Sequence, residues 1–144
     1  MIDLDKEYKK IRIRKIRIAI IIVIVVAAIF VALFNYFKIM RGGRTAFKEA
    51  KNVKLALNML DIEYYAKGKS VFEPGKRHGL SKESLERIQG ILENDGVIEI
   101  TSYDSDLKMV TGFTYQIDHY KVTYQYDDGL DKWDVDYFIN LFNY

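Results

Sequence analysis

The side chains equipped for catalysis are few in this sequence, and they are scattered. There are two histidines, His78 and His119, and no cysteine. Without thiols there can be no disulfide, no thiol nucleophile and no thiolate metal site. His78 ends a loop rich in Lys and Arg, where solvation is expected, and His119 follows Asp118 at a predicted turn. Nucleophilic catalysis needs a nucleophile and a base within hydrogen-bond reach, and neither histidine has such a neighbour nearby in the chain. No Walker-type or GxGxxG loop is present to cradle a phosphate. The expectation is a protein that is not an enzyme and carries no cofactor.

One acidic group invites a metal reading. Asp127, Asp128, Asp131, Asp134 and Asp136 surround the turn glycine Gly129. Calcium takes six to eight oxygen ligands, but this spacing does not match an EF-hand loop. Asp-Gly is an ordinary hairpin signal, and Asp134 and Asp136 fall on the wet side of an alternating strand. No metal is therefore predicted, with calcium as the alternative this cluster leaves open. The eleven tyrosines lie mostly on strand faces. Aromatic residues suit pleated, half-buried surfaces, so packing explains them before an exposed surface for a partner or glycan does.

The elements that would carry these residues follow from charge and hydropathy. The 144-residue chain has a formal charge of only +2, yet residues 1–54 carry +9 and residues 55–144 carry −7. A basic folded domain, the footprint of nucleic-acid binding, is absent. Ile18–Phe37 is a run of twenty residues without charge, glycine or proline. As a helix rising about 1.5 Å per residue it spans roughly 30 Å, the apolar thickness of a bilayer. Its Ile, Val, Leu and Phe residues favour insertion by a total on the order of −6 kcal/mol. A strand there would leave its backbone unpaired in lipid, so helix is expected despite the β-branched composition. Ile18, Ile24, Ala28 and Phe37 mark its start, middle and end, and Phe34, Tyr36 and Phe37 cluster where an interfacial aromatic belt belongs. The run is longer than a signal-peptide core and no small-x-small site follows it.

This divides the chain into a basic tail over residues 1–17, a membrane helix over 18–37, a juxtamembrane linker over 38–44 and a domain over 45–144. Seven basic residues precede the span and six follow closely. Long domains translocate largely regardless of charge, so the tail is assigned to the cytoplasm and the domain to the exterior of a cytoplasmic membrane. Gly42-Gly43 reads as a hinge or helix break.

Beyond it, Ala46, Ala50, Val53, Leu57, Leu60 and Tyr64 recur at spacings of 4, 3, 4, 3 and 4, one apolar stripe on a helix over about Thr45–Ala66. Over about three heptads this favours packing on its own domain, with homo-oligomerisation as the alternative. Residues 68–79 read as a loop. Ser81 reads as the cap of a second helix, with Leu80 stapled to Leu85, buried Leu85, Ile88, Ile91 and Leu92, and Gly96 in a left-handed stop. The period then changes to two. Strands are predicted at Val97–Tyr103, Met109–Ile117, Tyr120–Tyr126 and Trp133–Leu141, with Met109, Thr111, Phe113, Tyr115 and Ile117 sharing a face. The fold class is α+β: a transmembrane helix, then a long amphipathic helix on a four-stranded antiparallel meander.

The stretch Lys51–Gly68, with its Tyr64-Tyr65-Ala66 element and closing glycine, resembles the end of the helix in type IV pilins and pseudopilins. The Tyr-rich hairpin leading to Lys132-Trp133 is similar to small Gram-positive pilin-like proteins. Arg17 runs straight into Ile18-Ala19-Ile20 without the family's glycine, and no acid lies between Ile18 and Phe37. The resemblance therefore implies a permanently anchored pilin-like protein without prepilin peptidase processing, rather than a major pilin. Its partners would be the lipid bilayer and other envelope or secretion-apparatus proteins of a bacterium, with no nucleic acid. The competing expectation is an anchored ligand-binding or sensory module with a cystatin-like roll and a pocket between helix and sheet.

Overall fold

The structure, a computed structural model, describes residues 4–138. It is an α+β protein with the element order α1 (Leu4–Ala66), α2 (Lys82–Gln89), β1 (Val97–Asp104), β2 (Met109–Ile117), β3 (Tyr120–Asp127) and β4 (Leu130–Tyr137). Two compact units divide between Met40 and Arg41.

In the first unit every described side chain from Glu7 to Met40 is exposed. Ile18, Ile24, Ala28 and Phe37 are among them. The most apolar window of α1 has a mean hydropathy of 3.2, long and apolar enough to cross a membrane. The chain thus has a candidate transmembrane helix near its N-terminus, compatible with a single-pass membrane protein.

The second unit packs the rest of α1 on an antiparallel sheet in the order β1-β2-β3-β4. Gly42-Gly43 is neither hinge nor break, because α1 runs through both. The reason is the ring of Tyr120 on β3: a Cβ on Gly42 would collide with it, while Gly43 leaves ordinary room. The turn between β3 and β4 has Asp128 at φ 50° and Gly129 at φ 79°, the mirror-image turn that Asp-Gly favours in a two-residue hairpin. The last strand starts three residues earlier than predicted, at Leu130, and its described part ends at Tyr137. Ile139, Asn140 and Leu141 lie outside the described residues.

The predicted face of β2 is corrected. Phe113 and Tyr115 are buried, but Met109 and Thr111 are not; Val110 is buried instead. Register shifts between β1 and β2, at Ile100/Ser102 and Ser102/Tyr103, reset the alternation. An extra residue on one strand turns every later side chain to the other face.

In α2, Ser81 Oγ accepts from Ser84 N at 3.1 Å, completing the predicted cap. Ile88 is buried, Leu85 and Leu92 are half-buried, and Ile91 is 55% exposed because α2 has already ended at Gln89. Gly96 has no left-handed backbone. It is buried where the Tyr115 ring occupies the space of a side chain. Phe72 pairs with Leu80 in an isolated bridge, and its ring stacks on Tyr103 at 5.3 Å, so the segment 68–79 is tied to β1.

Candidate functional site

All six residues of the stripe, Ala46, Ala50, Val53, Leu57, Leu60 and Tyr64, are buried. They meet Ile98 and Ile100 from β1, Phe113 and Tyr115 from β2, and Val122 and Tyr124 from β3 in one apolar core. Trp133 extends it, with its ring 4.7 Å from Tyr124 and 5.4 Å, edge-on, from Phe47. Each aromatic pair adds about 0.5–1.5 kcal/mol beyond the area it buries.

Polar side chains are set into this interface. Glu49, 1% exposed, accepts hydrogen bonds from the Tyr115 hydroxyl and from Asn94 Nδ2, so both carboxylate oxygens are used. Burial, and then the hydrogen bond to Glu49, push the Tyr115 phenol well above its ordinary range. Nearby, Lys54 Nζ donates to Asp131 Oδ2, and the Tyr124 hydroxyl donates to Asp131 Oδ1 at 2.8 Å. Burial alone would lower the Lys54 ammonium; its hydrogen bonds with Asp131 and Tyr124 outweigh that and raise it. The Lys54 hydrogen bond holds the Asp131 carboxyl below its usual range. Glu63 joins α1 to α2, accepting from Lys67 Nζ and Arg87 Nη2, each at 2.7 Å. Its carboxyl is lowered to about 2, first by Arg87 and then by Lys67.

At the C-terminal end of α1 the arrangement changes. Asp61 is 8% exposed. Its Oδ2 accepts from Val110 N at 3.0 Å, and its Oδ1 has no hydrogen-bond partner. Burial raises this carboxyl, and the Val110 N–H offsets part of the rise. Asp61 lines an open groove of about 400 Å³ together with Asn58, Ile62, Tyr65, Leu107 and Met109.

The residues singled out for chemistry are not brought together. His78 is half-buried with φ 69°, and His119 is exposed with its ring edge-on to Tyr137 at 6.1 Å. Neither imidazole meets a hydroxyl or carboxylate partner among the described residues. The acidic cluster disperses: Asp127 pairs with Lys132, Asp131 with Lys54, and Asp134 accepts from the next residue's N–H. Among the described residues no group of three or more His, Asp or Glu side chains is placed to hold a metal ion. The helical spacing leaves Glu49 unremarked and assigns Asp61 to the polar remainder of the helix, whereas both are buried. Both were visible as acids on the apolar stripe, Glu49 three residues after Ala46 and four before Val53, Asp61 one residue after Leu60.

Fold and interface thus define an α+β protein with one candidate membrane helix and a filled helix–sheet core. No family model, no curated protein and no solved structure matches the chain.

Proposed function

We propose that this chain is a non-enzymatic, single-pass membrane protein. It presents a small pilin-like α+β domain outside the cytoplasmic membrane, as an accessory or structural component of a type IV pilus or a type II secretion-like apparatus. The observation that carries this reading is that α1 is one helix from Leu4 to Ala66. It includes both the uncharged Ile18–Phe37 segment and the stripe that fills the domain core. The core itself supports a scaffold over a cystatin-like binder: Leu57, Leu60, Phe113 and Tyr124 are buried, and Trp133 closes on Phe113 at 6.1 Å. These side chains fill the middle of the helix–sheet interface, and the open groove at Asp61 lies at the C-terminal end of α1.

Topology is tested by protease treatment of vesicles. Residues 45–144 should be cleaved in right-side-out vesicles and protected in inverted ones, and the opposite pattern would exclude an external domain. The assembly role is tested by crosslinking in cells of the source organism, followed by affinity purification through α1 neighbours. Envelope or secretion components should be recovered, and recovery of none of them would count decisively against it.

A further inference from the structure

The groove at the end of α1 has the composition of a ligand site, and the assembly role makes no use of it. Its walls are apolar and exposed: Ile62 is 72% exposed, and Tyr65 and Leu107 also face solvent. Single exposed apolar side chains are ordinary, but several lining one groove beside a buried polar group are the composition of a ligand pocket. Leu107 is held out by a stiff turn, since Asp104 Oδ1 accepts from both Asp106 N at 2.8 Å and Leu107 N at 2.9 Å. At the base lies Asp61, nine-tenths buried, with one oxygen bound to Val110 N and the other unsatisfied. A buried acceptor left without a donor costs roughly 1–3 kcal/mol, and supplying that donor recovers the loss. The groove's volume of about 400 Å³ suits a small organic molecule.

Charge selects the ligand class. The unpaired oxygen belongs to a carboxylate, so it favours a cationic donor over a neutral one. The face of Tyr65 already holds a cation, with Lys108 Nζ 5.0 Å from the ring centroid. Lys108 forms no ion pair with Asp61. It occupies the aromatic wall, and Asp61 Oδ1 is itself shielded from solvent, so a ligand reaches it only as the groove's side chains give way.

We propose that this groove binds a small organic ammonium with an apolar body. The ammonium donates to Asp61 Oδ1, and the body lies between Tyr65, Ile62 and Leu107. On binding it displaces the Lys108 ammonium from the Tyr65 ring. The proposal is independent of the pilin-like reading and of topology.

The test titrates the full chain in lipid nanodiscs with phenethylammonium and with its neutral counterpart 2-phenylethanol. The readout is the amide resonance of Val110, which reports on Asp61 directly. The amine should bind at least about tenfold more tightly than the alcohol, the ratio a charge-assisted hydrogen bond supplies. Asp61→Asn keeps an acceptor for Val110 N, so the domain should fold, and it should bring the amine down to the alcohol's affinity. Lys108→Gln should act in the opposite direction and strengthen amine binding severalfold. Equal affinity for amine and alcohol, unchanged amine binding in Asp61→Asn, or weakened binding in Lys108→Gln would each overturn the proposal.

Discussion

Ile18–Phe37 and Ala46–Tyr64 belong to one helix but satisfy their apolar side chains by different means. The first is apolar all round, and every one of its side chains is exposed in the isolated chain. The second is apolar on one stripe, and all six stripe residues are buried by the protein's own sheet. A helix that is apolar on every side needs an apolar solvent; a helix with one apolar stripe needs one partner surface. The difference is carried by where charge is permitted. The first segment admits none, whereas the second holds Lys48 and Lys51 on its outer side, pairs Lys54 with Asp131, and tolerates Glu49 inside because two donors meet it.

The contrast can be tested by placing the same change in both segments. Leu57→Asp puts an unpaired charge in a filled core and should abolish the domain's cooperative melting, a loss of more than about 4 kcal/mol. Ile24→Asp costs about 3 kcal/mol against insertion and should leave that melting transition in place. Loss of the transition in both variants would mean that the two segments do not answer to separate environments. Next in size, Leu57→Ala should cost about 3 kcal/mol in denaturant unfolding through the cavity it leaves. Ile24→Ala should stay within about 0.5 kcal/mol by the same measurement. Glu49→Ala strands the Tyr115 hydroxyl and Asn94 without their acceptor and should cost about 2 kcal/mol.

The adjacent glycines should give opposite signs. Gly42→Ala must displace the Tyr120 ring and should destabilise by about 1–2 kcal/mol. Gly43→Ala has room and should stabilise by up to about 1 kcal/mol through helix propensity. Equal effects at the two positions would remove Tyr120 as the reason for the pair. The smallest effect concerns pH. The Asp61 carboxyl is raised in the folded state. Its contribution is therefore fully present below the unfolded value near 3.9 and is lost as pH rises through the folded value. Asp61→Asn should accordingly raise the melting temperature by a degree or two at pH 7, with the gain vanishing below about pH 4. The Asp131 carboxyl is lowered, so its pair with Lys54 helps above the unfolded value and fades as pH falls through the folded one. That pair is partly exposed, which keeps its contribution below about 1 kcal/mol.

Periodicity made most of the fold legible. The six-residue stripe, the order of four antiparallel strands and the Ser81 cap all follow from local spacing. Three of the departures share a cause: each is set by a residue distant in sequence. Gly42-Gly43 reads as a breaker until Tyr120 is seen in the space where a side chain would go. Gly96 reads as a left-handed stop until the Tyr115 ring is found over it. Val110 replaces Met109 and Thr111 in the core because the register slips against β1, which neither strand's own alternation reveals. At the groove, the exposed Leu107 was visible in sequence, but its meeting with Asp61 depends on a contact spanning 49 residues from Asp61 to Val110.

The buried carboxylate of Glu49 has a further consequence. The stripe on α1 nearly repeats every seven residues: Ala46, Ala50, Val53 and Leu57 are followed at that interval by Val53, Leu57, Leu60 and Tyr64. Apolar contact alone would let the sheet slide along the helix by two turns and still find a greasy surface beneath it. Glu49 removes that degeneracy, because the residues seven before and seven after it are Gly42 and Ala56, and neither can accept from Tyr115 or Asn94. A slid domain would leave the buried Tyr115 hydroxyl without an acceptor, at roughly 1–3 kcal/mol. One acid thus acts as an address, fixing which stretch of a long, self-similar helix the sheet can occupy.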